Sequence, residues 1–321
     1  MISYDEALEL VLDSAECTNF VKVPLHKALG RVLAESLVSG FPLPRFDNSA
    51  VDGYVFGELA DGRTWQVVRT IGAGDPPGQS LQVNECARIF TGAPTPPQSA
   101  TVVMQEEVDV DGDLVRVCSE MKHGQHIRRA GEELEKGEVA LAAGTPMTPA
   151  AIGLAATLGY SEVSIYPAPR IGILVTGSEL AVPGGELGPS QVYESNGTAL
   201  TAALELMGIA PAFVDIIDDD AEATRAALLR AADLCDVLIT TGGVSVGDRD
   251  VVRSSLEHMG VKEVFWKVAL KPGKPVYMGR LDRFTVFGLP GNPLSVLTTF
   301  ALLVKPYLRA VMGFPDPRPQ Q

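Results

Sequence analysis

The sequence predicts a multidomain α/β protein. A doubly wound, mostly parallel sheet domain is preceded by mixed α/β segments on either side of a small β-barrel-like domain. Three observations support this. From PRIGILVTGSEL onward, apolar strand-like runs alternate with helical periodicity, the pattern of βαβ units and a parallel sheet. From about residue 53 to 130, short β-rich runs are separated by Gly/Pro/Asp turns, as in a small antiparallel β domain. The chain has 321 residues, 46% hydrophobic and 21% charged, enough for two or three domains with real cores.

At the N-terminus, Ser3 and Glu6 have capping-box spacing ahead of a helix with Ala7, Leu8, Val11 and Leu12 on one face. Residues 20 to 38 predict a short extended segment, then a helix from about Leu25 that breaks near Gly30. FPLPRFDNSAVDG, with Pro42, Pro44 and Gly53, marks a domain crossing. TWQVVRTI, CARIF, ATVVMQEEVDV and LVRVCSE supply the β-rich runs. Mixed structure returns over residues 131–168: TPAAIGLAATLG is a helix capped by Thr148 with Pro149 in its first turn, and SEVSIYP a strand. In the last domain the strands are IGILV, APAFVDII, DVLIT, VFWKVAL and FTVFGL. Its helices lie near 195–207, 221–232, 249–259 and 294–311, with Gly208, Gly260 and Gly313 where C-terminal caps belong.

Lys plus Arg is 26 and Asp plus Glu is 40, a net charge of −14, which argues against sequence-independent nucleic-acid binding. A small anionic ligand needs only a local cationic cluster. MISYDEALELVLDSAE lacks the cationic and apolar regions of a secretory signal, and no apolar run reaches membrane-spanning length, so the expectation is a cytoplasmic protein with no membrane partner. Cys17, Cys86, Cys118 and Cys235 show no C-x-x-C spacing and read as buried thiols of a reducing compartment. The four histidines are dispersed, which argues against a His-based metal site.

The most chemical stretch is LITTGGVSVGDRD, residues 238 to 250. Gly242, Gly243 and Gly247 permit turns closed to other residues and let backbone N–H groups approach a ligand. Thr240, Thr241 and Ser245 add hydroxyls, and Asp248 and Asp250 could hold a divalent cation, a combination suited to phosphate esters. Other strand-end loops would face the same crevice: Thr176, Gly177, Ser178 and Glu179; Asp218, Asp219 and Asp220; and GLPGNPLS, where Gly291 and Asn292 precede a helix N-terminus. Plain structural roles compete with each. Asp218 to Asp220 could cap the next helix, Asp248 and Asp250 could answer a macrodipole, and Glu179 could be a solvated loop acid. Convergence on one sheet edge favours a site. Lys267, Lys271 and Lys274 lie within eight residues, framed by Pro272 and Pro275, and predict an anion pocket. In the first half, DNSAVDGY and FTGAPTPP read from physics alone as a linker and a hairpin, and Arg128 with Arg129 as an interdomain surface pair.

DNSAVDGY, IFTGAPTPPQSATVVMQEE, IRRAGEE, VTGSEL, TTGGVSVGDRD, LKPGKP and GLPGNP, in this order, resemble the MoeA/gephyrin E-domain family, the molybdopterin molybdenumtransferases. A lone TGG loop would implicate only the broader domain shared with MogA-type adenylyltransferases and CinA-like proteins. The resemblance implies a MogA-like α/β domain and insertion of molybdate (or tungstate) into adenylylated molybdopterin, with Mg²⁺-dependent release of AMP. It implies Glu179, Asp219 and Asp250 around substrate and metal. Lys267, Lys271, Lys274, Pro290, Pro293 and Ser295 would line the pterin and molybdate side, and Gly177, Ser178, Thr241, Gly242, Gly243, Ser245, Gly291 and Asn292 would also bind substrate. Asp52 and Thr91 would serve the crevice of the partner subunit in a homodimer with composite sites.

The implied domains are residues 1–38 with 131–168, an inserted 39–130, and 169–313. Family members usually continue into a small C-terminal β-barrel that contributes an arginine and a serine toward molybdate. Here only FPDPRPQQ follows Gly313, residues 314–321. The expectation is a chain without that domain, its molybdate half incomplete, supplied by a MogA-like protein or full-length homologue, or replaced by local lysines. Two alternatives stay open: a non-catalytic molybdopterin-nucleotide scaffold, and a MogA-like molybdopterin adenylyltransferase.

Overall fold

The computed structural model describes residues 1–60, 64–218, 220–243 and 251–319. They form two compact units, Met1–Ser36 with Ala142–Gln321, and Leu37–Leu141. The second unit opens and closes on a short antiparallel ladder, Val38 opposite Val139 and Leu37 opposite Leu141.

In the first unit, helix α1 (Tyr4–Asp13) starts at the expected capping box: Ser3 Oγ accepts the Glu6 N–H, and the Glu6 carboxylate accepts the Ser3 N–H. Its apolar face, Ala7, Leu8 and Val11, is buried with Ile171, Ile173 and Leu308. The helix expected from Leu25 to Gly30 is only a 3₁₀ turn, Leu25–Lys27, and Val32–Leu33 then pairs with Glu162–Tyr166. Helix α2 (Pro149–Thr157) has the predicted Thr148 cap, accepting the Ala151 N–H.

The main sheet contains β1 (Ile171–Thr176), β2 (Phe213–Ile217), β3 (Val237–Thr241), β4 (Lys262–Trp266), β5 (Tyr277–Leu281) and β6 (Phe284–Leu289). Their order is β2-β1-β3-β6-β5-β4, the first four parallel. Helices α3 (Asn196–Glu205), α4 (Ala221–Leu234), α5 (Val251–His258), α6 (Pro293–Thr299) and α7 (Lys305–Val311) cover its faces. Every residue of β1, β3 and β6 is buried, as two-sided cover demands. The alternating pattern implied parallel neighbours, but β5 was not foreseen and runs antiparallel to both β6 and β4. β5 and β6 form a hairpin through Asp282, whose φ is 50°. The run VFWKVAL stops being strand at Trp266, because Lys267 sits at φ 66°.

Helices α6 and α7 are joined by a π-helical stretch, Phe300–Val304. The whole helix Pro293–Val311 spans 19 residues and is long and apolar enough to cross a membrane, contrary to the sequence reading. Its apolar side, including Val296, Phe300, Leu303, Tyr307 and Leu308, is buried in the core.

The second unit is a six-stranded sheet among the described residues, ordered Thr101–Met104, Gly53–Phe56, Glu85–Ile89, Thr64–Ile71, Leu114–Val117, Val108–Asp111. One inner pair is parallel and the rest antiparallel. Only a 3₁₀ turn, Gln105–Glu107, separates the two edge strands in sequence, so the sheet curls toward itself. Trp65 and Phe56 meet edge-on at 4.9 Å in its core. GYVF, which begins at the last residue of the predicted crossing, Gly53, is an inner strand next to the edge strand Thr101–Met104.

All four cysteines are free; Cys86 and Cys235 are buried, but Cys17 and Cys118 are exposed, against the expectation that all were interior.

Candidate active site

The four parallel strands end on one edge, so the loops that follow them are neighbours. The turn after β3 fits closely there. Gly242 (φ 85°) and Gly243 (φ 64°) occupy the left-handed region that glycine adopts without strain. A Cβ on Gly242 would lie 2.7 Å from both the carbonyl oxygen and Oγ1 of Thr176; one on Gly243 would lie 2.5 Å from Val252 Cγ2. The Gly242 N–H donates to the Leu289 carbonyl at 3.2 Å, and the Thr176 hydroxyl to the Thr241 carbonyl at 3.4 Å. The ends of β1, β3 and β6 are thus laced together by one side-chain and one backbone donor.

At the end of β1, the exposed Glu179 carboxylate bends back over Gly177, where its oxygens would stand 2.8 and 3.0 Å from an added Cβ. Ser178 is exposed beside it. After β2, Asp220 is a cap: its Oδ2 accepts the Ala223 N–H at 2.7 Å. Asp219, Ser245, Gly247, Asp248 and Asp250 lie outside the described residues. Among the described residues no group of three or more His, Cys, Asp or Glu side chains is arranged for a metal ion.

After β6, buried Pro290 leads to exposed Gly291 and Asn292, and Pro293 opens α6. The N–H groups of Leu294 and buried Ser295 are already accepted by Asn292 Oδ1 at 3.1 and 3.3 Å. The helix end therefore offers an anion less than its sequence promised.

Two residues that the sequence reading passed over complete this edge. Asn196, 8% exposed, donates from Nδ2 to the Gly291 carbonyl at 2.8 Å, while its Oδ1 is buried with no partner. The hydroxyls of Thr240 and Thr241 are likewise buried and unpartnered. A buried polar atom left unpaired costs about 1–3 kcal/mol, so these atoms mark where a ligand or water belongs. Glu194, also buried, accepts the N–H of Gly197 and the hydroxyl of Thr198 and so caps α3. The signal was present in ESNG, a polar run opening a helix.

The three lysines do not share one environment. Gly273 packs so closely on α6 that a Cβ would meet Thr299 Cγ2 at 2.6 Å, which seats exposed Lys271 and Lys274 beside the first turns of α6. Lys267 instead lays its ammonium on the Trp266 ring at 3.7 Å, with Arg253 also stacked on that ring at 3.9 Å.

In the β unit, Asp52 Oδ1 accepts both the N–H and the hydroxyl of Thr91 at 2.8 Å. These bonds, helped by the charge of Arg88, hold the Asp52 carboxyl below the usual carboxylate range. Arg88 lies between the rings of Tyr54 and Phe90. The supposed interdomain arginines serve this unit itself: Arg129 pairs with Asp47 at 2.6 Å, and Arg128 with Glu132 at 2.7 Å and with Glu133.

Residues 2–159 match the MoeA N-terminal region (domain I and II), and residues 172–310 match a probable molybdopterin binding domain. Molybdopterin molybdenumtransferase 2 of Mycobacterium tuberculosis is 40% identical over 99% of this chain and 81% of its own length. Molybdopterin molybdenumtransferase of Haemophilus influenzae is 36% identical over 98% of this chain and 78% of its own. Among solved structures, the molybdopterin biosynthesis MoeA protein of Pyrococcus horikoshii OT3 superposes with a TM-score of 0.82 at 31% identity, covering 99% of this chain and 81% of that one.

Proposed function

Because the chain belongs to the MoeA family of molybdopterin molybdenumtransferases, transferases of molybdenum cofactor biosynthesis, we propose that its strand-end site binds adenylylated molybdopterin and exchanges AMP for molybdate. The observation that carries this reading is the set of buried, unpartnered oxygens, Asn196 Oδ1 and Thr241 Oγ1, beside the Gly242–Gly243 turn. A polar heterocycle and its phosphates would supply the missing partners.

In this reading Gly177, Ser178, Thr241, Gly242, Gly243 and Ser245 cradle the nucleotide through backbone and hydroxyl groups. Lys271 and Lys274 attract the phosphate and molybdate oxyanions, and Lys267 joins them on leaving Trp266. Pro290, Gly291, Asn292, Pro293 and Ser295 form the wall on the pterin side. The β1, β2 and β3 loops offer hard oxygen donors with neither thiol nor imidazole, a set that fits Mg²⁺. Glu179, Asp219 and Asp250 would hold that ion, which when bound polarises the phosphoanhydride. Asp52, kept ionised by Thr91, would serve the crevice of the partner in a homodimer. Four free cysteines suit the cytoplasm.

The test is AMP release from adenylylated molybdopterin by the pure chain with Mg²⁺ and molybdate. Release that needs both supports the assignment. Tight binding with no release at any molybdate concentration would make the chain a scaffold for the pterin nucleotide. AMP transfer from ATP onto molybdopterin would make it an adenylyltransferase.

A further inference from the structure

At the opposite edge of the main sheet, where β3 begins, lies a cavity of about 310 Å³ bordered by Glu16, Cys17, Asn19, Asp236, Arg280 and Arg283. We propose that it is a second binding site, specific for a small anion carrying a carboxylate or phosphate group. It stands apart from the strand-end site: Asp236 precedes the five residues of β3, which at roughly 3.3 Å per residue separate the two by over ~13 Å. The volume suits a compact ligand rather than a polypeptide segment.

Arg280 carries the inference. Its side chain is three-quarters covered, with an exposure of 25%. One terminal nitrogen reaches the Glu16 carboxylate at 3.3 Å and the Asp282 carbonyl at 3.4 Å. The Nε–H is buried and has no partner. An arginine fork is satisfied best by an acceptor that takes Nε and a terminal nitrogen together. Glu16 does not do this. It touches a single nitrogen, and its side chain is 77% exposed on the cavity rim. It therefore acts as a loose stand-in that a better-placed carboxylate or phosphate would displace.

The surrounding charges favour such a ligand. Asp236, the other acid of the cavity, is already answered by Arg170, which donates its N–H at 2.8 Å and a guanidinium nitrogen at 2.7 Å. Arg283 adds a further cation close enough to act on Asp236. With Asp236 answered by Arg170 from outside the cavity wall, Arg280 and Arg283 face only Glu16, and displacing Glu16 leaves a cationic pocket in a chain of net charge −14. Neither the pterin-nucleotide reaction nor the core packing uses Arg280 Nε.

Cys17 gives a direct readout, because its exposed thiol borders the cavity and donates to the Ala310 carbonyl at 3.5 Å. Iodoacetamide labelling of the full chain would be followed by peptide mass spectrometry, with exposed Cys118 as internal reference. One arm adds inorganic phosphate, a second adds succinate, and a third adds chloride at matched ionic strength. At ten times the dissociation constant, the Cys17 rate should fall about tenfold with the preferred anion while Cys118 is unchanged. The first two arms distinguish a phosphate from a carboxylate ligand. Arg280→Lys, which keeps the charge but loses the fork, should abolish the protection. Glu16→Gln should bring it on at lower anion concentration. Equal Cys17 rates in all three arms, or undiminished protection in Arg280→Lys, would overturn the proposal. Should Arg280→Lys melt early, Glu16→Gln decides: no gain in anion affinity counts against the site.

Discussion

Asn196 ties the start of α3 to the loop that opens α6, donating from Nδ2 to the carbonyl of Gly291 at 2.8 Å while its own Oδ1 stays buried and unpaired. Asn196→Ala removes both functions. Stability should fall by about 1 kcal/mol in urea titration, for the lost hydrogen bond. Affinity for the pterin nucleotide by calorimetry should fall about 10- to 100-fold, the worth of one buried ligand contact. Unchanged affinity would remove Asn196 from the binding surface.

The Gly242 turn permits a controlled steric test. Gly242→Ala combines a positive φ with 2.7 Å contacts on Thr176, whereas Gly74→Ala meets positive φ with nothing within 4 Å. Left-handed backbone alone costs about 1–2 kcal/mol, and overpacking adds about 1–3 kcal/mol. Gly242→Ala should therefore be the more destabilising by that second amount. Equal losses would show that the strand ends are not closed on one another.

Glu179 is exposed, and Glu179→Gln should leave the thermal midpoint almost unmoved, within about 0.5 kcal/mol of stability. AMP release should fall by about 10²-fold or more if its charge holds the cation. Full activity would return Glu179 to the status of a solvated loop acid.

Asp52 makes a pH-dependent contribution whose sign follows from its depressed pKa. The stabilisation is present above the unfolded value, about 3.9, and is lost as pH falls through the lower folded value. The midpoint difference between wild type and Asp52→Asn should be constant from neutral pH to about 5 and shrink in stronger acid. A margin that persists undiminished in acid would mean that ionised Asp52 is not what Thr91 holds.

Burial pushes the thiol of Cys86 up to about 12 and that of Cys235 up to about 11, so both stay protonated at neutral pH. Labelling of the native protein at neutral pH should reach Cys17 and Cys118 and leave Cys86 and Cys235 until denaturant is added. Early labelling of Cys235 would show that the cover over β3 opens readily.

Local signals were legible wherever the cause is local. The Ser3–Glu6 box, Thr148 with Pro149, Asp220, and Gly208, Gly260 and Gly313 all stand at helix ends because each acts on backbone within about four residues. The strand β5 escaped notice because YMGRL is short and interrupted by Gly279, and its partners are set by a hairpin rather than by its own pattern.

The sequence by itself determined which segments alternate as strand and helix, and hence that glycine turns, acids and lysines would follow strands at one sheet edge. Only the tertiary structure decided which of those groups meet. Lys267 turns onto Trp266 while Lys271 and Lys274 sit by α6, and Asn292 uses up N–H groups that an anion was expected to take. Asn196 finds Gly291 across 95 residues. Periodicity reports the face of one element, but a side-chain partner that far along the chain is chosen by packing, and no local pattern encodes it.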